Sequence, residues 1–105
     1  MTTFLFLDDV REVPQDGNDW KLVKSYKEFV NWIKDNGVPN IISFDHDLGL
    51  FHKSGMDAAK WLVEQDLICN IMIPNDFQFL VHSANPCGRA NIQGLLKNYL
   101  EQKNM

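Results

Sequence analysis

Ile42–Gly49 reads ISFDHDLG, and the fold turns on how this stretch is understood. An apolar run stops at Asp45, His46 and Asp47 and is closed by Gly49. Continuous rather than alternating hydrophobicity marks a strand covered on both faces, as in a parallel sheet. Buried strands seldom finish in two carboxylates and an imidazole unless something nearby needs them.

Similar runs lie on either side. FLFLDD (Phe4–Asp9) is apolar and ends abruptly in two acids, and FQFLVHS (Phe77–Ser83) ends in His82 and Ser83. WKLVKS (Trp20–Ser25) is a weaker strand candidate, reached through the turn-rich REVPQDGND. Between the strands the period changes to that of helices. In SYKEFVNWIKDNG, Ser25 and Glu28 have capping-box spacing, Tyr26, Phe29, Val30 and Ile33 form one stripe, and Gly37 is the stop. SGMDAAKWLVEQDL turns Met56, Ala59, Leu62 and Val63 inward, and the terminal helix of ANPCGRANIQGLLKNYLEQ turns in Ile92, Leu95, Leu96 and Tyr99. ICNIMIPND is ambiguous, broken by Pro74. The order β, β, α, β, α, β, α implies an α/β protein with a mainly parallel sheet and right-handed crossovers.

The totals are consistent with one domain over residues 1–105. The chain has 105 residues, 45% of them hydrophobic, enough for a real core. A formal net charge of -4 argues against a broad nucleic-acid-binding face, though not against a local phosphate site. Cys69 and Cys87 are too few and too far apart for a disulfide framework or zinc site, so reduced thiols are expected. No apolar span is long enough for a membrane helix, and MTTFLFLDDV lacks the basic leader of a signal peptide, so the expected location is cytoplasmic.

In open α/β sheets ligands bind beyond the carboxyl ends of the strands. Three strands bring unusual residues there: Asp8 and Asp9 with Arg11 just after, then Asp45, His46 and Asp47, then His82 and Ser83 followed by Asn85. Two carboxylates about 4 Å apart repel by about 4 kcal/mol at an effective dielectric of 20. Protonation relieves this, and a hard divalent cation relieves it better. The expectation is one Mg²⁺ or Mn²⁺ held by Asp9 and Asp45, with Asp8 helping directly or through water. An isolated acidic pair more often just caps a loop; the third acid tips the balance.

His46 and His82 are candidates for proton transfer, with Asp47 orienting one of them. Asp45 and His46 point to opposite faces while the strand stays regular, so one must turn across the rim or only His82 acts. HSANPCGRAN resembles a phosphate cradle, with Ser83 and Asn85 as donors, a helix N-terminus after Pro86, and Arg89 as a two-pronged grip. An ordinary Asn cap with Pro in the first turn explains Asn85 and Pro86 equally well. His52 is a solvent-facing or lid residue. Trp20, Trp32 and Trp61 are core or half-buried anchors, Cys87 is structural, and the lysines of the last helix form a solvated face.

LFLDDVREVP, SFDHDLG, GMDAAKWL and VHSANPCGRANI together resemble the cyclic-phosphate processing receiver domain, over nearly the whole chain. The resemblance implies a receiver-like (flavodoxin-like) three-layer sandwich, here with strand order 2-1-3-4 and no clear fifth strand. It implies action on cyclic phosphates, such as RNA ends or small nucleotide derivatives in RNA repair, and an acidic pocket at Asp8, Asp9 and Asp45 ringed by His46, Asp47, His82, Ser83 and Asn85. The lysine that ordinary receivers carry on a fifth strand has no counterpart, which weakens a phospho-signalling reading.

The expected function is metal-dependent hydrolysis of a cyclic phosphodiester by a phosphoesterase. Its substrate would be a small cyclic-phosphate nucleotide or an RNA terminus. Asp45, His46 and His82 would carry the chemistry, with Asp45 as an alternative nucleophile. Arg11, Asp47, Ser83, Asn85 and Arg89 would hold substrate. The rivals are a receiver-like module that binds a phosphorylated ligand without turnover, and a phosphoacceptor receiver.

Overall fold

A computed structural model describes residues 2–49 and 53–103. His52 lies outside the described residues. Strands β1 (Phe4–Leu7), β2 (Trp20–Val23), β3 (Ile41–Phe44) and β4 (Gln78–Val81) form one parallel sheet in the order β2-β1-β3-β4. Helices α1 (Tyr26–Asn36), α2 (Gly55–Leu67) and α3 (Pro86–Lys103) alternate with the later strands. Element order and strand order are those expected, and the described residues contain no fifth strand.

Partners in a parallel ladder share a face of the sheet, and alternate residues share it along each strand. Leu5, Leu7, Val23, Ile42 and Phe44 lie on one face, in a single buried cluster with Phe29 and Ile33 of α1, Ala58, Ala59, Leu62 and Val63 of α2, and Ile92 and Leu96 of α3. Phe6, Leu22, Ser43 and Leu80 are partners across the other face. There Trp20 meets Phe4 and Phe6 at centroid distances of 5.0 and 5.8 Å. All three helices thus pack on one face, so the described residues form one helical layer on the sheet where the expected three-layer sandwich has helices on both faces. β2 and β3 flank β1 on opposite sides, so a right-handed connection from β1 to β2 passes over the other face. That connection is a loop, tied down where Asp16 accepts from the Trp20 indole N–H.

Caps set the helix ends. Ser25 accepts from the Glu28 N–H, while Glu28 reaches back to the Lys24 N–H, so half of the expected box is displaced by one residue. Gly37, at φ 83°, closes α1 as expected. Ser54 and Asp57 form a complete capping box on α2. The ambiguous segment after α2 is irregular, with buried Ile73 as its anchor. Ile73 N–H, Tyr99 Oη–H and Lys103 Nζ all donate to the buried Asp66 carboxylate. Lys103 therefore departs from the expected solvated lysine face: it reaches inward to neutralise a charge that α2 would otherwise bury alone.

Candidate functional site

Asp8, Asp45 and His82 each sit one residue beyond a strand, and each remains part of the ladder. The Asp8 N–H donates to Val23, the Asp45 N–H to Leu7 and the His82 N–H to Phe44. The alternation that places Phe6, Ser43 and Leu80 on one face therefore carries through to Asp8, Asp45 and His82. One ligand atom from each lies within 4.8 Å of the others.

Asp8 is the buried member, 1% exposed. Its Oδ1 accepts from the N–H groups of Val10 and Arg11, both at 2.9 Å, and its Oδ2 from His82 Nε2 at 2.9 Å. Burial pushes its carboxyl up, but these donors outweigh burial and hold it below the ordinary carboxylate range. Asp45 is held above that range, first by burial and then by the negative charge of Asp8, against the pull of the His46 N–H. The two acids repel each other, as the sequence reading expected of acids on this rim.

A cleft of about 330 Å³ opens beside them, lined by Asp8, Asp9, Val10, Arg11, Asp45, Asp47, Gly49, Ser83 and Ala84. Asp9 lines it but is absent from the close cluster. Asp8, not Asp9, joins Asp45 in the close cluster, because Asp8 keeps the strand's phase and Asp9 begins the loop.

Neither histidine lines the cleft. His82 stacks on Phe6, centroids 4.3 Å apart, and its Nδ1 meets the Ser43 hydroxyl at 2.7 Å. Burial lowers its tendency to protonate, against the raising influence of Asp8. His46 turns to the helical face. Its ring lies where a Cβ on Gly88 would fall, and its Nδ1 meets Asp47 Oδ1 at 2.8 Å. That contact, first among the causes, holds Asp47 below the ordinary range. The two imidazoles are thus on opposite sides of the sheet, and neither turns across the rim.

The residues expected to hold substrate are divided too. Arg11 lines the cleft, anchored through Nη1 to the His82 carbonyl at 2.7 Å. Ser83 and Asp47 line it as well. Asn85 instead caps α3, accepting from the Gly88 N–H at 3.0 Å, and Arg89 is exposed and outside the lining. The Asn cap thus accounts for Asn85, while Ser83 lines the cleft. The buried Ser43 escaped sequence reading; a lone hydroxyl within an otherwise apolar strand is the signal that could have found it.

The cyclic-phosphate processing receiver domain matches residues 3–98, which include every strand and most of the last helix. The chain belongs to this family. No curated protein and no solved structure matches it. The family name links the domain to cyclic-phosphate processing and hence to a phosphate-bearing ligand. In this member of the cyclic-phosphate processing receiver family, no helix among the described residues is long and apolar enough to cross a membrane.

Proposed function

We propose that the cleft hydrolyses a cyclic phosphodiester with the help of one Mg²⁺ or Mn²⁺. The observation that carries this reading is the facing pair Asp8–Asp45, in which burial and the Asp8 charge push the Asp45 carboxyl up. An all-oxygen donor pair under that repulsion suits a hard divalent cation. Asp8 and Asp45 would hold it, with Asp9 on the rim. When bound, such a cation polarises the phosphoryl oxygens and neutralises charge developing on them.

The remaining roles fall to residues that line the cleft. Arg11 keeps guanidinium N–H groups beyond the one given to His82 and offers them to phosphoryl oxygens. Ser83 Oγ accepts from the Asn85 N–H, so its own proton is free to donate to the same group. Asp47 accepts from a ribose hydroxyl. Water attacks phosphorus in line, forming one P–O bond as the bond to a ribose oxygen breaks. The proton lost by water is returned through solvent to that oxygen at the open mouth of the cleft.

Turnover of 2′,3′-cyclic nucleotides and of ADP-ribose cyclic phosphate, with Mg²⁺ and with EDTA, tests this. Product that requires the cation and disappears in Asp45→Asn is expected. Tight binding with no product over long incubation would replace hydrolysis with a ligand-binding module. That second reading is favoured by one observation: both imidazoles are held by carboxylates of the cleft, His82 by Asp8 and His46 by Asp47, and neither lines it itself.

A further inference from the structure

His82 sits in the close cluster with the two acids, and the simplest reading would make it a third cation ligand or the proton donor. Its hydrogen bonds argue otherwise. The ring is fixed at both nitrogens, Nε2 to Asp8 Oδ2 at 2.9 Å and Nδ1 to Ser43 Oγ at 2.7 Å, and its face is stacked on Phe6. An ionised carboxylate can only accept, so Nε2 carries the proton. In the neutral ring Nδ1 is then an acceptor, and the Ser43 hydroxyl must donate to it. Ser43 is 4% exposed and has no other side-chain hydrogen-bond partner among the described residues.

We infer that Ser43 and His82 are a positioning pair: the Ser43 hydroxyl fixes the ring so that Nε2–H holds Asp8 Oδ2, and His82 is not a cation ligand. A carboxylate has about four acceptor sites. Val10, Arg11 and His82 occupy three of those on Asp8, which leaves one, on Oδ2. The pair thus aims a single remaining lone pair and keeps the donor set facing the cleft all-oxygen. This is the arrangement in which an outer partner orients a ligating group, and loss of such partners weakens metal binding by about tenfold or more. The consequence for cation binding rests on the proposed cleft chemistry; the state of the ring does not.

Two measurements separate these. In the metal-free protein, ¹⁵N-resolved imidazole spectra at neutral pH should show His82 with protonated Nε2, unprotonated Nδ1 and slow exchange of the ring proton. A proton on Nδ1 overturns the inference whether or not any cation binds. With Mn²⁺ as probe, pulsed EPR should show no directly bound imidazole nitrogen. Ser43→Ala should weaken Mn²⁺ binding about tenfold, and Ser43→Thr, which retains the hydroxyl, should restore it. A bound imidazole nitrogen that is lost in His82→Asn, or a Ser43→Ala protein that binds Mn²⁺ as wild type does, overturns it. If wild type binds no Mn²⁺, the cation proposal fails, and the ring spectra alone decide the role of Ser43.

Discussion

Asp8 and Asp45 face each other from adjacent parallel strands, each one residue past the Leu7–Phe44 pair that closes β1 and β3. Folding brings them together at an energetic cost: burial first, and then the Asp8 charge, raise the Asp45 carboxyl. Removing one charge should therefore stabilise the metal-free protein. Asp45→Asn keeps an oxygen to accept the His46 N–H, so the strand end survives. A gain of about 1 kcal/mol would raise the melting temperature by about 4–8 °C in EDTA. The same variant should lose the stabilisation that Mg²⁺ gives wild type. Thermal melts with and without Mg²⁺ check both, and a variant that melts no higher than wild type in EDTA would sink the repulsion argument.

Arg11 ties the loop after β1 to the end of β4 while presenting its remaining donors to the cleft. Its side chain is 53% exposed, so Arg11→Lys should change stability by less than about 1 kcal/mol. Lysine cannot reproduce the planar fork, so KM for a cyclic nucleotide should rise about tenfold, with a smaller change in kcat. Steady-state kinetics beside urea denaturation separate the two effects. Equal KM values would remove Arg11 from the substrate set.

Three helical glycines should respond to alanine with different signs. A Cβ on Gly55 would overlap the backbone carbonyl of Asp45, whose strand cannot yield without moving the site. A Cβ on Gly88 would overlap the His46 ring, a side chain that can swing aside. Gly94, within α3, has nothing near it. Gly55→Ala should destabilise by about 3 kcal/mol and Gly88→Ala by about 1–2 kcal/mol. Gly94→Ala should stabilise by up to about 1 kcal/mol through helix propensity alone. Urea denaturation of the three variants gives the ranking. A Gly55→Ala protein as stable as wild type would contradict the close approach of α2 to β3.

β1 and β3 were legible because each is a continuous apolar run with an abrupt polar end, β2 less so because Lys21 interrupts it, and the helices because capping and stripe positions coincide. The rim was legible for the same reason. What escaped was direction. Asp8 and Asp9 are equivalent as letters, and only the phase Phe4–Phe6–Asp8 shows which continues the pleat. His46 and His82 both border acids in the sequence, yet their neighbours in space are Gly88 on one face and Phe6 and Ser43 on the other. Asp66 read as one more polar residue of an amphipathic helix. Its donors Tyr99 and Lys103 lie 33 and 37 positions away, and local periodicity carries no trace of them.

That Asp66 network fastens α3 to α2 and gives stability a pH signature of its own. Burial alone would raise the Asp66 carboxyl, but Tyr99, the Ile73 N–H and Lys103 hold it below the ordinary range. A lowered carboxyl contributes stability above its unfolded value, near pH 4, and loses it as pH falls through the folded value. Tyr99 works in the opposite sense. Burial and the Asp66 carboxylate push its hydroxyl up to about 12 from the ordinary 10.0. Its contribution is complete below about pH 10 and fades as pH rises through about 12. Tyr99→Phe removes a donor from a buried charge and should cost about 2 kcal/mol near neutrality. The difference between wild type and Tyr99→Phe should stay level from about pH 6 to 9 and shrink above about pH 10. Urea denaturation across that range measures it directly. A difference that persists unchanged beyond about pH 12 would mean that the hydroxyl proton is not what Asp66 holds.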